Sequence, residues 1–86
     1  MSNLRQYNYE AQQIDQQLLQ VPSNCSGIMF INQNSFTIYV NSFPLQAGAT
    51  LVLDPQTEGE IDTTIYSINW NGNAGTLAIW KRHYAK

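Results

Sequence analysis

The stretch NLRQYNYEAQQIDQQLLQVP, residues 3–22, decides how the chain is read. Its apolar residues fall at Leu4, Tyr7, Ala11, Ile14, Leu18 and Val21, in steps of three, four, three, four and three. Steps of that kind put all six on one side of a helix in heptad register. Asn3 stands where an N-cap would, with Gln6 three residues on, the capping-box spacing. Gln, Leu, Ala and Glu form helices well, and no Gly or Pro interrupts them before Pro22 and Ser23 stop the run. The spacing predicts an amphipathic α-helix over 3–21. A free-standing coiled coil is disfavoured, because Ala11 is a weak a residue and parallel copies would set Glu10 near Asp15. Leu19 and Tyr9 lie off the seam, which favours a surface touching the helix on more than one side. The helix is therefore expected to be an attachment element that docks on a partner, with Leu4, Tyr7, Ala11, Ile14, Leu18 and Val21 as its contact residues. Packing on the chain's own sheet is the close alternative.

After Pro22 the period changes to two. GIMFIN (27–32) is a short apolar run, and SFTIYVN (35–41) alternates, with Phe36, Ile38 and Val40 on one face and Thr37 and Tyr39 on the other. QNS between them has hairpin length. SFPLQAG (42–48) reads as a turn region, because Pro44 cannot donate to a central ladder and Gly48 supplies a bend. ATLVLD (49–54), IDTTIYSINW (61–70) and TLAIWKRHY (76–84) are further strands, with Asn71-Gly72 before the last as a strong hairpin signal. The fold expected is mainly β: a small antiparallel sandwich or barrel of five to six strands, residues 23–86, behind the N-terminal helix.

Composition narrows the function. Eighty-six residues make one domain with a small core, which oligomerisation would help to stabilise. Charged residues are 12% of the chain, against about 25% in a typical soluble domain, and nine Asn and nine Gln replace them. Neutral amides make hydrogen bonds without the desolvation cost of burying charge, which suits a surface covered by neighbours. The net charge of −2 gives no footprint for nucleic acid. Lys81, Arg82 and Lys86 beside Trp80 form too thin a basic cluster for counterion-release binding, and read better as protection of an edge strand. No apolar run reaches the roughly 18 residues that span a membrane. No secretory leader is visible, so Asn24-Cys25-Ser26 is not expected to carry a glycan, and a single cysteine makes no internal disulfide.

Candidate chemistry is sparse. Asp54, Glu58, Glu60 and Asp62 gather four of the six carboxylates, but their spacing matches no EF-hand, and a solvated loop is the reading preferred to a metal site. No G-x-S-x-G elbow or glycine-rich phosphate loop is present, so neither a catalytic centre nor a cofactor is expected. The aromatic residues are more telling. Tyr7, Tyr9, Tyr39, Tyr66, Trp70 and Trp80 exceed what one small core holds, since each ring buries about 150–250 Å². Some must face outward, where they serve a protein interface or stack on sugar rings.

IYVNSFPLQAGATLVLD followed by EIDTTIYSINW and TLAIWKRHY resembles small virion proteins of tailed bacteriophages. The shared features are a strand ending in Val-Asn, a Pro-Leu turn, a glycine, an apolar strand, an acidic loop and a last strand running into basic and aromatic residues. The resemblance covers roughly residues 35–84 and implies a head-decoration, head-fibre or neck component. Such a protein would be a non-enzymatic structural subunit, present in many copies or as a homo-oligomer. It would contact other virion structural proteins and assemble in the host cytoplasm. A carbohydrate- or ligand-binding module using exposed Tyr and Trp is the alternative.

Overall fold

A computed structural model describes residues 7–54 and 59–84. It contains eight strands: β1 (Tyr7–Asp15), β2 (Gln20–Pro22), β3 (Gly27–Asn32), β4 (Ile38–Val40), β5 (Phe43–Leu45), β6 (Thr50–Leu53), β7 (Ile65–Asn69) and β8 (Thr76–Tyr84). They form two four-stranded antiparallel sheets, ordered β1-β8-β3-β6 and β2-β7-β4-β5. The sandwich expected from the strand spacing is present, but with eight strands where five to six were expected. No helix occurs among the described residues.

The largest correction concerns residues 7–22. The predicted helix is instead β1, a turn and β2, and Leu4 lies outside the described residues. β1 pairs with β8 along its whole length, from Tyr7↔Tyr84 to Asp15↔Thr76. That partner is about seventy residues away in the chain, and a local period cannot register it. Isolated helices of this length are marginal in water. The ladder to β8 supplies nine residue pairings, and it overrides the local preference of Gln and Ala for helix.

The core lies between the sheets. From the first come Ile14, Ile28, Phe30, Leu77 and Ile79; from the second come Val21, Ile38, Val40, Leu45, Tyr66 and Ile68. Phe30 meets Tyr66 across the interface, edge to face, with centroids 5.3 Å apart. Lys81 shares the inward face of β8 with Leu77 and Ile79, and its ammonium donates to the Pro22 carbonyl at 2.8 Å.

Two connections differ from the hairpins the sequence suggested. GIMFIN and the strand after it do not pair; β3 lies between β8 and β6, and residues 33–37 cross to the other sheet. Asn71-Gly72 does make a tight turn, with both φ angles positive, yet it too leads from one sheet to the other. The two-residue hairpin is Asn41-Ser42, between β4 and β5, where Val40 faces Phe43 and both turn residues have positive φ. Pro44 sits within β5, an edge strand, which is where a sheet tolerates proline.

Asn32 ties the sheets together at the end of β3. It is fully buried, and its two amide N–H groups serve three carbonyls, those of Phe36, Leu45 and Gln46 at 2.8, 2.8 and 3.1 Å, one hydrogen being shared. Its amide oxygen accepts from the backbone and side-chain nitrogens of Asn34.

Candidate functional site

The outward face of the first sheet is the candidate binding surface. Strand alternation sets inward and outward residues, and the register aligns the outward ones in rows across all four strands. One row is Ala11–Trp80–Met29–Val52 and the next is Gln13–Ala78–Ile31–Thr50. A third runs Tyr9–Arg82–Gly27, with Asp54 just beyond β6. Tyr9 is 64% exposed, Val52 59% and Trp80 42%. With Met29 between them they form a contiguous apolar surface, which is unlike the scattered single exposures of an ordinary protein surface. Tyr9, Trp80, Met29 and Val52 line an open groove of about 370 Å³, with Gly27 in its floor and Arg82 and Asp54 at one end.

That polar end is tightly organised. The Arg82 guanidinium donates to Asp54 at 2.9 Å, to the Ser26 hydroxyl at 3.1 Å and to the Ser26 carbonyl at 3.3 Å. The Ser26 hydroxyl is fully buried and donates in turn to the Arg82 carbonyl. The guanidinium also lies 4.6 Å from the Tyr7 ring centroid, and Tyr7 packs against Tyr84 at 5.5 Å. Gly27 makes this possible. A Cβ there would stand 2.3 Å from the Asp54 carboxylate, so any larger residue displaces the ion pair.

The six residues of the expected seam are dispersed. Ile14 and Val21 are core residues of opposite sheets. Leu18 is 39% exposed in the turn between β1 and β2. Tyr7 is half-buried under Arg82, and Ala11 is exposed in the Trp80 row. Of the aromatic residues, Tyr66 and Trp70 are buried, Tyr7 and Tyr39 half-buried, and Tyr9 and Trp80 exposed. The expectation that some rings face outward is met by those last two. Met29, Val52 and the Arg82–Asp54 pair escaped the sequence reading. Period-two alternation in TLAIWKRHY would have found the outward set Ala78, Trp80 and Arg82, but their neighbours come from pairings between distant segments.

The carboxylates of the acidic loop do not converge. Asp54 pairs with Arg82, whereas Asp62 accepts hydrogen bonds from the Tyr66 hydroxyl and the Thr64 amide; Glu58 lies outside the described residues. No group of three metal-ligating side chains occurs among the described residues. Burial works to raise the Asp62 carboxyl, but the hydrogen bonds from Tyr66 and Thr64 outweigh it and hold it below its usual value. Burial and the same contact push the Tyr66 hydroxyl up to about 12. Cys25 is buried, and that burial raises its thiol, which suits a core residue and not a nucleophile.

A second apolar patch, Leu18, Leu19 and Ile65, lies beside β2, with the neutral amides Gln17 and Gln20 at its margin and no ion pair among the described residues that line it. No helix among the described residues is long and apolar enough to cross a membrane. Against this geometry, no family model, no curated protein and no solved structure matches the chain.

Proposed function

We propose that the protein is a non-enzymatic structural subunit of a phage particle, held to other virion proteins by the outward face of its β1-β8-β3-β6 sheet. The observation that carries the reading is the contiguous exposure of Tyr9, Trp80 and Val52 around Met29. Interface centres are enriched in Tyr, Trp, Met and Arg and depleted in Lys and Glu, and this face has that composition. The low charge of the chain and its resemblance to small tailed-phage virion proteins support the particle as the setting. The attachment element is thus a sheet face, in place of the helix first expected.

The test is co-sedimentation of the full chain with its particle. Trp80→Ala combined with Tyr9→Ala should release the protein while leaving its fold intact, because both side chains already face solvent. Undiminished retention of the double variant would refute the reading.

A second reading has one specific observation in its favour. The Arg82–Asp54 pair at the end of an aromatic-sided groove offers paired donors and acceptors beside a stacking ring, the combination that holds a pyranose. Binding of the isolated protein to a glycan array, lost in Trp80→Ala, would select this reading over the first.

A further inference from the structure

The two sheets have four edge strands: β1 and β6 on the first, β2 and β5 on the second. An edge presents unpaired backbone N–H and C=O groups, and proteins blunt such edges with short strands, proline, charged side chains (lysine above all) or a bulge. Three of the four are blunted. β2 has three residues and ends in Pro22, β5 has three with Pro44 in the middle, and β6 has four and runs into Asp54. β1 is different. It has nine residues, with no proline and no lysine, and its register against β8 skips no residue, so it carries no bulge; of its two charges, Glu10 is held by His83 at 2.9 Å and Asp15 stands at the end of the strand.

We propose that this edge pairs with β1 of a second copy of the chain, antiparallel about a two-fold axis at Ala11. Symmetry and length fix the register. A two-fold axis normal to the sheet keeps each residue opposite one of the same face. Centring it on Ala11 pairs every described residue of the strand; centring it on Gln12 leaves Tyr7 and Asn8 without partners, and centring it on Glu10 sets two carboxylates face to face. With the axis at Ala11, Tyr7 faces Asp15, Asn8 faces Ile14, Tyr9 faces Gln13 and Glu10 faces Gln12 of the second copy. No like charges meet, and the Tyr7 hydroxyl comes opposite the Asp15 carboxylate. A second copy is selected over another partner by charge: self-pairing sets each carboxylate of β1 opposite a neutral hydrogen-bonding side chain, Asp15 opposite Tyr7 and Glu10 opposite Gln12. The outcome is one eight-stranded sheet, β6-β3-β8-β1 continued by its symmetry mate. Trp80 of each copy then flanks the central Ala11 pair, so the aromatic rows of the two copies join into one face.

The test measures the mass of the full chain in solution over a concentration series from micromolar upward. The wild type should show twice its chain mass. Ala11→Lys points to solvent in a single copy but sets two ammonium groups together at the axis, so it should halve that mass with an unchanged circular dichroism spectrum. Ala11→Cys should form a disulfide-linked dimer on mild oxidation, because directly opposed residues have Cα atoms about 4.5–5.5 Å apart, within the disulfide range. Gln13→Cys should not, since Gln13 faces Tyr9 of the other copy. Cys25 is buried and does not compete. Trp80→Ala should leave the dimer intact, which separates this contact from the attachment face. A wild type that stays monomeric, a dimer that survives Ala11→Lys, or equal cross-linking of the two cysteine variants would overturn the proposal.

Discussion

Asn32 shows how one side chain holds two sheets in register. Its amide nitrogen meets three carbonyl oxygens within 3.1 Å, and it is fully buried. Asn32→Asp keeps the shape and replaces the donor with an acceptor, leaving a buried carboxylate against carbonyls. The expected loss is at least about 3 kcal/mol, read from urea denaturation at pH 7, with recovery as pH falls and the carboxyl protonates. The Tyr66–Asp62 contact makes stability depend on pH at both the acid and the alkaline end. Tyr66 keeps its proton up to about 12 in the folded chain, against 10 for a free tyrosine. Its contribution is therefore intact below pH 10 and is lost as pH rises toward 12. Asp62 has the opposite sign. Its carboxyl is held below 3.8, so its contribution is present above that value and disappears as pH falls through the lowered one. Denaturation midpoints measured across pH should decline at both ends, and Tyr66→Phe should flatten the alkaline limb. An alkaline limb unaltered by that change would place the loss at other tyrosines.

At the scale of the element, β1 separates the two readings of residues 7–21. On a helix seam Ile14 and Leu18 would be equivalent, one turn apart. In the sandwich Ile14 is 6% exposed in the core and Leu18 is 39% exposed in a turn. Ile14→Ala should cost about 2–4 kcal/mol, and Leu18→Ala under about 1 kcal/mol, in thermal or urea unfolding. Equal losses would favour the helix. The hairpin turn gives a second test of local structure. Ser42 holds φ at 69°, a region unfavourable for residues with a Cβ, and Ser42→Gly should stabilise by roughly 0.5–1 kcal/mol. Elements whose patterns are decided locally were legible. GIMFIN and TLAIWKRHY coincide with β3 and β8, and IDTTIYSINW contains β7. Those decided by distant partners were not. NYEAQQI carries spacing that suits a helix and alternation that suits a strand, and only β8 selects between them. Asn41-Ser42 closes a true hairpin without the Asn-Gly signature, while Asn71-Gly72 carries the signature and joins different sheets.

At the scale of the whole molecule, the proposed binding surface lies where four distant segments run side by side, so no local motif could locate it. Tyr9, Met29, Val52 and Trp80 each look ordinary in their own strands; the rows exist only after β1, β3, β6 and β8 have paired. The same rows determine how attachment should respond to salt. The one ion pair on this face, Arg82–Asp54 among the described residues, is internal, and Arg82 is further held by Ser26 and Tyr7. It is formed before any partner arrives, so a partner gains no new ion pair from it. Exposed ion pairs contribute about 0–1 kcal/mol and are screened at high ionic strength. Burial of Trp80, Met29 and Val52 is not screened, and fully burying an apolar side chain is worth about 1.5–3 kcal/mol. Under the proposed function, co-sedimentation with the particle should therefore persist from low to high salt for the wild type. Arg82→Gln should weaken it only modestly, and Trp80→Ala with Tyr9→Ala should abolish it at every salt concentration. Release of the wild-type protein at moderate salt would instead identify charge–charge contacts, with Arg82 and Asp54 turned toward the partner, as the source of attachment.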